Sequence, residues 1–390
     1  MRVQNGRLVA LVAAVAVAAI AGGGALAYRQ GPQTAEAEAA PLSSSPSPAT
    51  GNPTTKPTTK PAATPSQSST PVSTPSSTGP VKTKIDLSKL PTGRAPQIAY
   101  LTGRTIRGGA GGDVKVPGTA QIQAVARLGS SALAVVTKGY GTEMLTLDTD
   151  GKITGRTADV TQIVTTDDGL GAAYVGSRLK DSGESTGVTT LYAQQDQGRA
   201  EVQKVTMPNI WNATLLGYLN GKVYFDASTT EAGASTLYEW TPAQSKVITI
   251  KPVPNAMAVS SVGTAGSLTT LADQNSCSSL LTVPAGKRLW RTCDYQIVGF
   301  TPDGATAIAG PMYQDGYGNG IAAVLDAKKG TLLHEWSGVF RQWIPEDDQH
   351  LLLLADNGEE TPASIIRCTI STGACELATP LAKGSLLIGD

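Results

Sequence analysis

Residues 323–336 read AVLDAKKGTLLHEW, an alternating apolar stretch, a Lys-Lys-Gly turn and a second stretch ending on Trp336. Five further stretches follow the same plan: LTLDTDGKITG from Leu145, YAQQDQGRAEVQKV from Tyr192, YEWTPAQSKVITI from Tyr238, LTVPAGKRLW from Leu281 and IRCTISTGACELA from Ile366. Successive units open 42 to 47 residues apart. Strand-turn-strand units at a period in the forties are the signature of a β-propeller, whose blades are four-stranded sheets.

The other half of each repeat precedes these units. Its turns are read at Leu128–Ser131, Asp167–Gly169, Asn220–Gly221, Ala265–Gly266, Pro302–Gly304 and Glu346–Gln349. Asn-Gly and Asp-Gly supply the positive φ that tight hairpins require. The apolar runs after them (ALAVV, LGAAYV, KVYF, LTTLA, ATAIA and HLLLL) suit strands buried on both faces. Six blades fit between Gln121 and Pro380. A seventh is expected from the hairpin at Gln97–Val116, across the glycines 108, 109, 111 and 112, closed by the tail Gly384–Ile388. Pairing both chain ends in one blade removes exposed sheet edges. The fold class is therefore all-β, a propeller of seven four-stranded blades, with six as the alternative.

Residues 1–7 are expected to form a short cytoplasmic N-terminus with no signalling domain. Residues 8–27 are an uncharged apolar run preceded by Arg2 and Arg7. Twenty residues at helical rise cover the hydrocarbon core, and the arginines favour a cytoplasmic N-terminus. A transmembrane anchor fits that length, and a cleaved signal peptide fits Ala25-Leu26-Ala27. Either places the rest outside the cytoplasm: bound to the membrane by a single pass, or secreted. No cysteine lies nearby for lipidation. Residues 28–84 are Pro, Ser, Thr and Ala with few large apolar side chains. They read as a disordered spacer, with O-glycosylation as a compatible elaboration. Residues 85–390 then form the propeller domain. Net charge is zero and no basic stripe occurs, which argues against nucleic-acid binding. A monomer is expected.

Export makes disulfides the expected state of the four cysteines. Pairing Val283 with Lys287 across Pro284–Gly286 sets Leu281 against Leu289 and Cys277 against Cys293. Ile370 opposite Gly373 likewise brings Cys368 to Cys375. No C-x-x-C spacing for zinc occurs.

Catalytic signals are sparse. The two histidines, His334 and His350, sit at strand positions, and no G-x-S-x-G elbow occurs. Asp148-Thr149-Asp150-Gly151 lacks the remaining ligands of a calcium loop. No metal and no cofactor are expected. Trp240, Trp290 and Trp336 fall within strand pairs and read as packing between blades.

Recognition is sought on the face where blade-to-blade connections meet the loops between second and third strands. The loop PMYQDGYGNG, 311–320, offers Tyr313, Asp315, Tyr317 and Asn319. Trp211 in PNIWNATLL and Arg341 and Trp343 in VFRQWIPE precede inner strands of the same face. Aromatics beside polar groups suit protein or carbohydrate recognition.

Thr301-Pro302-Asp303-Gly304 followed by ATAIA resembles the S-P-D-G turn of TolB-like and WD-repeat propellers. Leu325 to Trp336 is similar to the L-D-A-x-T-G-x-x-x-W repeat of quinoprotein-type propellers. That resemblance implies the fold. The adjacent cysteines of quinoprotein dehydrogenases are absent, as are the WD dipeptide and Gly-His pair of conventional WD repeats. TolB-like propellers act through partner proteins, which fits a tethered design. The expected function is a binding module for an envelope protein or cell-surface glycan. An extracytoplasmic glycan hydrolase or lyase is the alternative, and would need paired carboxylates at the channel mouth.

Overall fold

The computed structural model describes residues 81–196, 201–270, 275–313, 317–358 and 360–389. The expected anchor and most of the spacer lie outside these residues, and among them no helix is long and apolar enough to cross a membrane. The first described strand opens at Val81, four residues before the boundary expected at Ile85.

Five four-stranded antiparallel sheets and one eight-stranded sheet are present among the described residues. Sheet II runs Ile122–Leu128, Ser131–Lys138, Gly141–Leu147, Ile153–Ala158. Sheet III runs Val160–Thr165, Gly171–Leu179, Ser185–Gln195, Gln203–Pro208. Sheet IV runs Trp211–Leu219, Lys222–Ser228, Thr236–Thr241, Lys246–Pro254, and sheet V runs Ala256–Val259, Thr264–Leu268, Ser278–Thr282, Arg288–Thr292. In the eight-stranded sheet VI, one long strand, Leu332–Pro345, does two jobs. Its first half is the outer strand of one set, with Trp336 opposite Ala322. Its second half is the inner strand of the next, with Trp343 opposite Leu353. This repeated antiparallel arrangement is consistent with the propeller the sequence predicts.

Sheet I joins the two ends of the chain. Leu386–Ile388 pairs with Tyr100–Thr102, which continues into Thr105–Arg107 and Val114–Lys115. The glycine cluster turns between the last two strands. Gly109 is at φ +66°, and a Cβ there would lie 2.7 Å from Cγ of Arg127. Arg127 is buried beneath the turn, and its Nε donates to Gly108 O at 3.0 Å.

The second strands carry the core, as the continuous apolar runs require. Ala132 to Val135 and Leu351 to Leu353 are wholly buried, each strand packed on both faces. One turn departs from expectation. Ala265 and Gly266 lie inside the strand Thr264–Leu268, not in a turn, so of the expected run LTTLA the strand takes in Leu268, while residues 271 and 272 lie outside the described residues. The turn is Ser260–Gly263, with Gly263 at φ +77° and Ser260 Oγ 2.7 Å from Thr264 Oγ1. Gly266 is needed for close approach, since a Cβ would sit 2.6 Å from Cγ2 of Ile297 in the neighbouring sheet.

Neighbouring four-strand sets are tied by a recurring contact. Trp290 donates its indole N–H to Ala327 O at 2.7 Å, and Trp336 donates to Gly373 O at 2.9 Å, each 37 residues on. Each indole reaches the third-to-fourth strand turn of the next four-strand set. Trp240 is also buried, at 1% exposure.

A strap formed by residues 81–97 runs along the outer edge. Val81–Lys84 adds a parallel strand to Leu332–Pro345, and Thr92 bridges Leu377. The strap then passes Arg367, which is 3% exposed. That guanidinium donates to both carboxylate oxygens of Glu346, to Glu376 and to the carbonyls of Arg94 and Ala95.

Both expected disulfides are present, Cys277–Cys293 and Cys368–Cys375. The second follows the expected register. The first holds at the cysteine end, where Ser278 faces Thr292. Nearer the turn the register shifts, so that Leu281 faces Arg288 and not Leu289. Leu289 is left 46% exposed. By loop-closure entropy, Cys293→Ser is expected to cost about 3 kcal/mol and Cys375→Ser about 2 kcal/mol in urea unfolding. Equal stability of oxidised and reduced protein would contradict this.

Asp226, 9% exposed, accepts a hydrogen bond from the Ala256 amide at 3.1 Å. Burial outweighs the bonds from Ser235 and Ala256 and pushes its carboxyl up from 3.8 to about 6. A raised carboxyl binds its proton more tightly in the folded chain. The contribution of Asp226 to stability is therefore fully present below about pH 4 and is lost as pH rises through about 6, an amount on the order of 2–3 kcal/mol. Asp226→Asn keeps an acceptor for Ala256, and is expected to flatten the urea midpoint between about pH 4 and pH 7. A slope unchanged by the substitution would count against this account.

Candidate functional site

In every four-strand set but sheet I, whose first two strands come from opposite ends of the chain, the first-to-second turns emerge at one end. The second-to-third loops and the sheet-to-sheet connections emerge at the other. The connections are tight, and three of them turn on left-handed residues: Asp159 at φ +60°, Asn209 at +58° and Asn255 at +46°. Asx side chains tolerate this conformation because they bond locally. The Asn255 side chain is also held from a distance, accepting from Ser235 Oγ at 3.2 Å, 20 residues earlier in the chain. Short connections leave the second-to-third loops as the projecting feature of that face.

Two of the expected residues, Tyr317 and Arg341, converge on a group not singled out in the sequence. Asp356, whose side chain is 1% exposed, ends the second strand of its set. Its Oδ2 accepts from Tyr317 Oη at 2.7 Å and from Arg341 Nε at 2.9 Å, and its Oδ1 accepts from the Gly358 amide at 3.0 Å. The carboxylate thus joins the 311–320 loop, the long strand and the loop after Asp356. Tyr313, earlier in the same loop, is 45% exposed, and Tyr317 keeps 44% exposure. Asn319 opens its strand opposite Phe340, half-buried. Asp315 lies outside the described residues.

The two tryptophans go elsewhere. Trp343 sits within the inner strand, in the channel wall, and its ring lies so close to Gly310 that a Cβ there would be 3.2 Å away. Trp211 opens the inner strand of sheet IV and packs over Gly187 of sheet III, where a Cβ would come within 2.4 Å of its indole. Neither joins the Asp356 cluster.

Sequence reasoning named the loop Lys138–Thr142 but not its aromatic. Tyr140 is 85% exposed, the most exposed large hydrophobic side chain among the described residues. It lies beside Gly183 of the next sheet, whose Cβ would be 3.2 Å from that of Tyr140. The signal was present, an aromatic flanked by glycines in a second-to-third loop. Its base is fixed by Glu143, which is 5% exposed and paired with Lys138 and Arg156. Lys138, aided by Arg156 and opposed by burial, holds the Glu143 carboxyl below the usual carboxylate range.

The inner strands of all the sets surround a channel of about 480 Å³. Two glutamines stitch its wall by bonding the backbone of the neighbouring inner strand. Gln162 Oε1 accepts from Leu215 N at 2.9 Å, and Gln342 bonds both N–H and C=O of Ile388. Glu346, Asp347 and His350 cluster at the turn end, with ligand atoms within 4.8 Å of one another. Glu346 there is already engaged by Arg367 and the Gln97 amide, and His350 Nδ1 lies 2.9 Å from Asp347.

No family model matches the chain, and no curated protein matches it. Solved structures do. A prolyl endopeptidase superposes with TM-score 0.52 at 14% identity, covering 75% of this chain and 47% of that one. An uncharacterised protein from Listeria monocytogenes gives 0.48 at 10% identity, covering 71% and 91% respectively. TolB from Acinetobacter baumannii gives 0.43 at 15% identity, covering 70% and 66%. The chain spans about half the length of the endopeptidase. At these identities the likeness concerns the fold.

The Asp356 cluster makes a local prediction. Tyr317→Phe removes one hydrogen bond to a buried carboxylate, and is expected to cost about 1.5–3 kcal/mol in urea unfolding. Arg341→Ala combined with Tyr317→Phe should be non-additive, because both act on Asp356. Strictly additive losses would separate the two contacts.

Proposed function

We propose that this protein is an extracytoplasmic recognition module: a propeller of seven blades, tethered to the membrane by residues 8–27, that binds an envelope protein on its loop face. Seven inner strands contribute to the channel lining, which supports that number, with the long strand of sheet VI serving two blades. The tether rests on the apolar run and the arginines before it.

One observation carries the binding reading. The loop face presents Tyr140, Tyr313 and Tyr317 to solvent at 85%, 45% and 44% exposure, on loops braced from below by Glu143 and Asp356. Tyrosines supply large contact area with few torsions to freeze, and are enriched where proteins meet. Their spread over separate loops favours a broad partner over a small sugar.

Affinity capture from an envelope extract, with the full chain as bait, tests this. Wild type is expected to retain a partner that Tyr140→Ala/Tyr313→Ala loses, while both melt alike. These two side chains make no contact with the Asp356 carboxylate, so the brace stays intact. Equal capture by both baits would refute the face assignment. Release of the partner by free glycan would replace the protein reading with a carbohydrate one.

A further inference from the structure

The channel differs chemically from the loop face. Its wall is built from apolar groups such as Met257, Val259, Phe300, Trp343 and Ile344, with neutral glutamines between them. Gln162 and Gln342 are committed to neighbouring backbone. Among the described residues that line it, Asp167 is the one ionisable side chain, and no Lys, Arg or His joins it.

Asp167 also differs from the aspartates in equivalent turns. Asp168 accepts from Thr166 Oγ1 and the Leu170 amide. Asp303 accepts from Thr301 Oγ1 and the Ala305 amide. Asp347 is held by His350 and the Gln349 amide, with Arg94 3.9 Å away, and Asp348 accepts from the Asp303 amide. Asp168, Asp303 and Asp347 each close a turn, and Asp348 reaches across to the turn of the preceding four-strand set. The Asp167 carboxylate has no hydrogen-bond or ion-pair partner among the described residues, and it faces the channel. Asp167 is exposed at the channel mouth, and partial desolvation there, then the charges of Asp348 and Asp168, push its carboxyl above the usual range. A neighbouring cation would relieve all three effects. A cavity with charge of one sign and low-dielectric walls concentrates the opposite charge, and aromatic faces reinforce the preference.

We propose that the channel is a binding site for an organic monocation, with its ammonium group at Asp167 and its apolar body among Met257, Phe300 and Trp343. A volume of about 480 Å³ lies within the range of small-molecule sites. The site is independent of the loop-face reading.

The test uses the full chain and three probes of nearly equal shape: 2-phenylethylamine, 2-phenylethanol and phenylacetate. Binding is read by calorimetry and by saturation-transfer NMR. The amine is expected to bind saturably, the alcohol at least about tenfold more weakly, and the carboxylate not at all; tenfold corresponds to about 1.4 kcal/mol. Asp167→Asn should weaken the amine about tenfold and leave the alcohol unchanged. Thr161→Trp, which places bulk in the channel lining, should abolish both. Tyr140→Ala/Tyr313→Ala should bind the amine as wild type does, so failure of the loop-face reading would leave this result standing. Equal binding of amine and alcohol by wild type would overturn the proposal, as would an amine affinity indifferent to Asp167→Asn or the absence of saturable amine binding. The comparison of probes on wild type decides the matter even if a variant does not fold.

Discussion

Everything in this fold depends on a pairing three residues long. Tyr100–Thr102 and Leu386–Ile388 come from opposite ends of the domain, and they complete sheet I. Until they meet, the repeating sheets have two open ends, and the loop entropy of bringing nearly 300 residues round must be met by few bonds. Such a short seam needs reinforcement, and the structure supplies it from three sides. Gln342 grips the backbone of Ile388 from the channel. Arg127 fills the space under the glycine turn. The strap 81–97 binds the outer edges of sheet VI before feeding into Tyr100.

Arg367 is where strap and sheet are locked together. A buried guanidinium and carboxylate carry large desolvation costs, and the pair breaks even only if the remaining donors are also satisfied. Here Glu346 takes two of them, Glu376 another, and two carbonyls of the strap take the rest. The ion pair therefore contributes specificity of position more than net stability. It admits the strap in one register, because only that register places the carbonyls of Arg94 and Ala95 within reach. Placing this lock under the closing seam joins local electrostatics to global topology.

What was legible in the sequence follows from the range of the interactions concerned. Hairpins are local: Asp167–Gly169, Asn220–Gly221 and Pro302–Gly304 announce themselves through residues that accept positive φ, and the strands between them alternate. Both disulfides were readable for the same reason, since each closes within one hairpin. The one misplaced turn is instructive. Ala265–Gly266 looks like a hairpin because it holds a glycine, but that glycine makes room for Ile297 of the next sheet, a contact about 30 residues away. The true turn, Ser260–Gly263, is closed by hydroxyl groups whose signal is weaker. Arg367–Glu346 and the cluster on Asp356 were invisible because they join residues by geometry that only the assembled sheets provide. Tyr317 and Arg341 were named for their loops, but the acid that holds them was not. Trp343 was read as a loop-face residue and stands in the channel wall, because the long strand extends unbroken from Leu332 to Pro345.

The two ends of the barrel-like ring are thus under different constraints. At the turn end, short hairpins consume their own polar groups; Asp168, Asp303, Asp347 and Asp348 all serve the backbone. At the loop end, Glu143 and Asp356 are sunk below the surface, where they stiffen loops and leave tyrosines outward. Buried charge at that end serves presentation, and surface charge at the other serves turn closure. Asp167 fits neither pattern, since it closes no turn and braces no loop. Where the neighbouring turn aspartates bond backbone, a carboxylate at the mouth of an apolar channel marks the place where the framework stops and recognition begins.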